Sequence, residues 1–238
     1  MFQIDFSQRS AEKELMDTES VSFTEFNDCL RNLEWINVCS LAYRPTLQWL
    51  RKISHRIPEK EFSIIDIGSG GGDMLRRIWK WAQANKFTVN LTGVDINPSS
   101  KELAELATPS EAPIVYKTAD LFSLETERHA DIIISSLFTH HLSDEDVVRF
   151  IRWMDSRCKT GWHINDLHRH PIPYFFIKWV TKILPVNRLV KHDAAVSVAR
   201  SFTKSDWERL LQQAQIPHQQ VTIKWFFPFR YSVSCLKT

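Results

Sequence analysis

Four of the six glycines in this 238-residue chain fall within five positions, Gly68, Gly70, Gly71 and Gly72, in the stretch "IIDIGSGGGDM". Glycine concentrated in this way marks a backbone that must turn tightly or let a ligand approach closely. The stretch follows the β-rich run "FSIIDI" (62–67) and precedes a helix-period segment (73–85). Strand, glycine turn and helix in that order present backbone N–H groups and a positive helix end to a ligand. A nicotinamide fingerprint, Gly-x-Gly-x-x-Gly/Ala, does not fit: counted from Gly68 the third position is Asp73, and counted from Gly70 it is Leu75.

Around this loop the chain alternates short β-rich runs with helix-like segments, the signature of a parallel sheet built from βαβ units. The predicted strands are 62–67, 89–95, 112–118, 130–136 and 161–167, with helices between them, for example over 143–158. Ser143 with Asp146 reads as a capping box in which Asp replaces the usual Glu or Gln. Upstream, residues 20–56 carry apolar positions at helical spacing, broken near Arg44-Pro45, and predict two or three helices. Downstream, an aromatic helix-like segment (173–184) interrupts the alternation. "TKSDWERLLQQAQI" then predicts a helix capped at Thr203 or Ser205, and "QQVTIKW" and "RYSVSCLK" an antiparallel pair joined by "FFPF". The expected division is an N-terminal helical extension (1–56) and an α/β domain (57–238) with an insertion over about 171–202.

Composition narrows the function classes. A net charge of +2 gives no broad basic field, so nucleic acid is not an expected partner. Cys29, Cys39, Cys158 and Cys235 are scattered without zinc spacing, which favours reduced thiols. The start "MFQIDFSQRSAEKELMD" is too charged for a secretory signal, and no apolar run approaches the ~18 residues of a membrane span. The expectation is a cytoplasmic protein without stable membrane insertion.

The spacing Asp-x-Gly-x-Gly-x-Gly at Asp66, Gly68, Gly70 and Gly72 resembles the first motif of class I S-adenosylmethionine-dependent methyltransferases, and the likeness continues in register. It implies a Rossmann-like fold: a seven-stranded, mostly parallel sheet whose last strand is antiparallel, N-terminal helices, and a lid inserted after the fifth strand. It implies S-adenosylmethionine as cofactor and S-adenosylhomocysteine as product. Ser69 belongs to the same loop. "LTGVDINPSS" places Asp95 where that family holds the ribose hydroxyls and Ile96 beside the adenine. "TADLFSL" places Asp120 near the adenine amino group with Leu121 as neighbour, and Ser136 ends the fourth strand before "LFTHHL". A carboxylate accepting two vicinal hydroxyls and an apolar side chain covering an aromatic ring make physical sense of these positions. "ELMD", "CLRNLEWIN", "INDLHRHP" and "VSVARSFTKSDWERLL" further resemble bacterial methyltransferases related to quinone biosynthesis and linked to phenolic or polyketide products. The chain departs from that group at Asp193-Ala194-Ala195, where Asp-Gly-Pro precedes Ser-Val-x-Arg.

The implied activity is methyl transfer to a small acceptor, on oxygen by preference, with C-methylation of a quinone precursor and a non-catalytic binding protein as alternatives. A phenol has a pKa near 10, so an O-acceptor benefits from a general base such as histidine. His140 and His141 follow the fourth strand and His168 the fifth, and these three are the candidate bases. Asn165, Asp166, Arg169 and Tyr174 are candidate substrate contacts. His163, inside the fifth strand, and His170, before Pro171, read as structural. The fourth strand ends in Ser-Ser-Leu-Phe rather than an acid, so no metal is expected. The aromatic segment 173–184 suits a lid over an apolar acceptor, a helix packed on the N-terminal helices, or a homodimer contact.

Overall fold

The computed structural model describes residues 4–57, 60–124 and 130–237. β1 (Glu61–Ile67), β2 (Thr88–Asp95), β3 (Ile114–Thr118), β4 (Ala130–Ser136) and β5 (Cys158–Leu167) run parallel; β6 (Val221–Phe226) and β7 (Arg230–Leu236) complete a seven-stranded sheet in the order β3-β2-β1-β4-β5-β7-β6. β7 is antiparallel to both of its neighbours. The central strands are apolar on both faces, with Ile64, Ile132, Ile133 and Ile134 fully buried, as a sheet covered on two sides requires.

Two cores result. On one face α6 (Asp144–Arg157) and α9 (Lys204–Ala214) bury Phe150, Ile151, Met154, Trp207 and Leu210 against Trp162 and Ile133. On the other, α3 (Arg44–Ile53) and α4 (Asp73–Ala84) bury Trp49, Leu50, Ile53, Leu75 and Ile78 against Ile64 and Ile132. α3 therefore shares a core with the sheet. α5 (Pro98–Ala107) follows β2. The predicted caps form: Ser143 accepts from the Asp146 amide, and Thr203 and Asp206 close a full capping box.

The sheet order reverses between β1 and β4, and there, at the carboxyl ends of the strands, a cavity of about 1080 Å³ opens. Its roof comprises the segment around α1 (Leu15–Thr18), then α2 (Phe23–Cys39), α7 (Pro171–Ile183) and α8 (Arg188–Arg200). α8 contains Asp193-Ala194-Ala195, where the chain departs from the group it resembles. That stretch is mid-helix, with Asn187 as the N-cap and the Asp193 side chain accepting from the Leu15 and Met16 amides.

Candidate active site

The glycine loop leaves β1 with Gly68 (φ +70), Gly70 (φ +49) and Gly72 (φ +75) in the left-handed region. A Cβ on Gly68 would approach Phe138 to 2.5 Å, and one on Gly72 would strike Tyr116, so both positions exclude a side chain sterically. Gly70 differs: a Cβ there would meet nothing within 4 Å, because this part of the loop borders the cavity. Asp95 braces the loop from β2, its carboxylate accepting from the Gly70 amide at 2.9 Å and the Asn97 amide at 2.9 Å. Ile96 is 70% exposed at the cavity edge. Leu121 is buried, Asp120 accepts from the Phe122 amide at 2.9 Å, and Ser136 lies 3.4 Å from Thr46 Oγ1; all three line the cavity.

Asp66 is the anomaly of this half. It is buried at the floor and one of its oxygens, Oδ1, has no hydrogen-bond partner. Burial, then the nearby Asp73 and Asp95, push its pKa well above the ordinary carboxylate range. A buried acceptor without a donor is costly, and a ligand cation or N–H group at this end of the cavity would relieve it.

The opposite half is built from side chains. His140 Nδ1 lies 2.7 Å from Asp166 Oδ1, and Asp166 also accepts from Thr139 Oγ1, the His140 amide and the Leu167 amide. Burial alone would raise the Asp166 pKa, but His140 and these donors hold it down at about 2. His141 Nδ1 lies 2.8 Å from Asp17 Oδ2, and the His140 and His141 rings lie 4.4 Å apart, tilted by 33°. Burial lowers the His141 pKa, yet Asp17 and Glu14 outweigh it and the net shift is upward. Glu14, only 2% exposed, reaches in from the N-terminal segment; its carboxylate sits 3.5 Å from His140 Nε2 and 3.8 Å from His141 Nε2. Among the described residues these three form the one His/Cys/Asp/Glu group with metal-ligand spacing, although no metal was expected. Arg200 and Arg9 clamp the turn beneath, donating to the carbonyls of His140, His141 and Leu142.

Two further polar groups line the cavity with unused capacity. Asn165 donates to Ala42 O at 2.7 Å while its own Oδ1 has no partner. Arg230 spends Nη2 on Ser40 Oγ, but its buried Nε and Nη1 have none. Burial lowers its pKa to about 10.

Four predicted residues are corrected. His168 is not on the cavity: its ring sits among His170, Phe229 and Tyr231, accepts from Trp225 Nε1, and has its pKa lowered to about 4, chiefly by burial. Arg169 is buried as a tether, donating to the Phe6, Ser7 and Ser201 carbonyls and pairing with Asp206 at 2.8 Å. Tyr174 turns away from the cavity to pack on Phe6, Ala195 and Val198; Ile172, Phe176 and Ile177 of the same helix line it instead. Asp166 orients His140 and does not itself border the cavity. His163 is the core residue expected, stacked on Trp49 and bonded to Ser232, and His170 caps α7. Sequence reading missed Glu14, Asp17 and Arg230. Glu14 and Asp17 begin and end the "ELMD" stretch that carries part of the resemblance, but they lie more than 120 positions from the histidines they meet, and nothing in that stretch names those partners.

Residues 64–161 match the family model described as a methyltransferase domain. A search of curated proteins finds no match. Solved structures share the architecture at low identity. Magnesium protoporphyrin IX methyltransferase from Synechocystis PCC 6803, with bound SAH, superposes with a TM-score of 0.57 at 13% identity, over 92% of this chain and 89% of its own. The plantazolicin methyltransferase in complex with SAH gives 0.64 at 16% identity, over 90% and 96%. Human N-acetylserotonin methyltransferase in complex with SAM gives 0.65 at 16% identity, over 91% of this chain and 56% of its own. The chain has the class I methyltransferase fold.

Proposed function

We propose that this protein transfers a methyl group from S-adenosylmethionine to the oxygen of a small phenolic or polyketide-derived acceptor, releasing S-adenosylhomocysteine. One observation carries the reading: the open glycine loop and Asp95 end on the same cavity as the paired histidines. The donor side fits the cofactor's chemistry. Asp66 Oδ1 lacks the donor that a methionyl ammonium, bound nearby, would bring into its field. The Asp95 carboxylate has used two of its roughly four acceptor sites and keeps the rest for vicinal hydroxyls. Ile96 offers an apolar cover for a purine.

Bound there, the cofactor supplies an electrophilic methyl group, and displacement at that carbon needs alignment with the acceptor and exclusion of water. Ile172, Phe176 and Ile177 from α7 form an apolar wall suited to an aromatic ring. The free Asn165 Oδ1 accepts an acceptor O–H, and the free Arg230 N–H groups hold an acceptor oxygen or carboxylate. The cluster of His140, His141 and Glu14 is where the acceptor hydroxyl gives up its proton.

Donor binding is tested by titrating the protein with S-adenosylhomocysteine. Saturation at a hundredfold excess over the dissociation constant stabilises the fold by about 2.7 kcal/mol. A saturable shift with nicotinamide dinucleotide and none with S-adenosylhomocysteine would remove the proposal. Acceptor class is then read from turnover of a panel of simple phenols against C-nucleophiles of similar size.

A further inference from the structure

We propose that Glu14, His140 and His141 bind a divalent cation of the zinc class on the acceptor side of the cavity. Asp166 and Asp17 are ionised acceptors, each within 2.8 Å of an imidazole Nδ1, so both Nδ1 atoms carry hydrogen. Both rings therefore turn Nε2 toward the Glu14 carboxylate, at 3.5 and 3.8 Å. Two ring nitrogens and a carboxylate thus converge on one point. The separations of 3.5 and 3.8 Å are too long for the charge-assisted hydrogen bonds that protonated rings would make at about 2.7–2.9 Å.

Those separations suit ligands of one ion. Bonds of about 2.0–2.1 Å in a tetrahedron place neighbouring ligand atoms roughly 3.4 Å apart, and all three atoms here lie within 4.8 Å of one another. The surroundings are those of a metal site, in which each ligating ring passes its second N–H to a carboxylate. Ser197 Oγ donates to Glu14 Oε1 at 2.8 Å, and Arg9 and Arg200 fix the backbone beneath the rings. Two imidazoles and one carboxylate select zinc or a similar first-row cation over magnesium or calcium, which prefer oxygen. Three protein ligands leave a position open to the cavity, where an acceptor hydroxyl can bind the ion and lose its proton more readily.

The inference rests on reading this half as the acceptor side, so cation and donor binding are measured separately. The full chain is stripped with a chelator, then titrated with Zn²⁺ by calorimetry and with Co²⁺ by visible absorption, and independently with S-adenosylhomocysteine. One Zn²⁺ per chain is expected, with affinity falling at least tenfold in both Glu14→Gln and His141→Ala. The Co²⁺ bands should be lost in the same variants, and millimolar Mg²⁺ should give no signal. A stripped chain that binds S-adenosylhomocysteine but takes up no Zn²⁺ overturns the proposal, as does Zn²⁺ affinity changed less than tenfold by either substitution. Zn²⁺ uptake as expected without S-adenosylhomocysteine binding leaves the cation site standing and removes the donor reading.

Discussion

The two halves of the cavity are assembled by opposite strategies. Around Gly68–Gly72 the cavity is lined by loops that directly follow β1, β2 and β3, with Asp95 bracing the turn through backbone amides. Around His140 the lining groups are side chains drawn from five separated segments, near residues 14–17, 140–141, 165, 197 and 230. Backbone geometry tolerates many sequences as long as the glycines remain, and it suits an invariant ligand. A side-chain cluster can be rebuilt one residue at a time, and it suits whatever differs between relatives of one fold.

If that division holds, mutations sort by half. The largest effect is expected for His140→Ala: turnover falls about 10²–10⁴-fold while the dissociation constant for S-adenosylhomocysteine stays within about twofold, measured by steady-state kinetics beside calorimetry. A comparable loss of donor affinity would break the comparison. Asp95→Ala sharpens it from the other side. Losing charge-assisted bonds to the ribose weakens donor binding roughly 10–100-fold, while the fold is retained and melts only slightly earlier for want of the brace on the Gly70 and Asn97 amides.

A third test uses pH. Burial lowers the His163 pKa to about 3, so the folded state keeps this ring neutral where the unfolded chain protonates it. The neutral form contributes fully above pH 6.5; below that, stability is lost with falling pH until the folded value is reached. At pH 5 the loss is about 2 kcal/mol relative to pH 7. Denaturant melts of His163→Leu should show a correspondingly flatter pH dependence, which would attribute the acid sensitivity to the scaffold under the side-chain half. The smallest effect is expected for His168→Ala. With its ring packed on Phe229 and Tyr231 away from the cavity, turnover changes by less than about twofold.

The contrast also explains what was legible. Asp66, Gly70, Asp95, Ile96, Asp120 and Leu121 could be placed at one cavity because strand, turn and helix follow one another in sequence and strand ends converge in every parallel sheet of this kind. His140 and His141 could be placed at that cavity for the same reason. His168 and Arg169 were misplaced because strand position fixes where a residue sits, whereas its orientation depends on neighbours such as Trp225 and Asp206 that arrive from elsewhere. α8 escaped notice because Leu189, Val190, Asp193, Val196 and Arg200 are all buried, which erases the amphipathic stripe that identifies a helix.

By itself the sequence determined the order of elements, the parallel sheet, the glycine loop and the strand-end carboxylates, since each follows from local periodicity or from spacings of a few residues. Only the tertiary structure decided that Glu14 and Asp17 meet His140 and His141, that Arg230 and Asn165 line the cavity with unspent hydrogen-bonding capacity, and that Tyr174 turns away from it. Contacts across more than a hundred residues are set by how helices pack around the sheet. That packing is driven by apolar burial, which has no directional preference and leaves no short-range pattern in the chain.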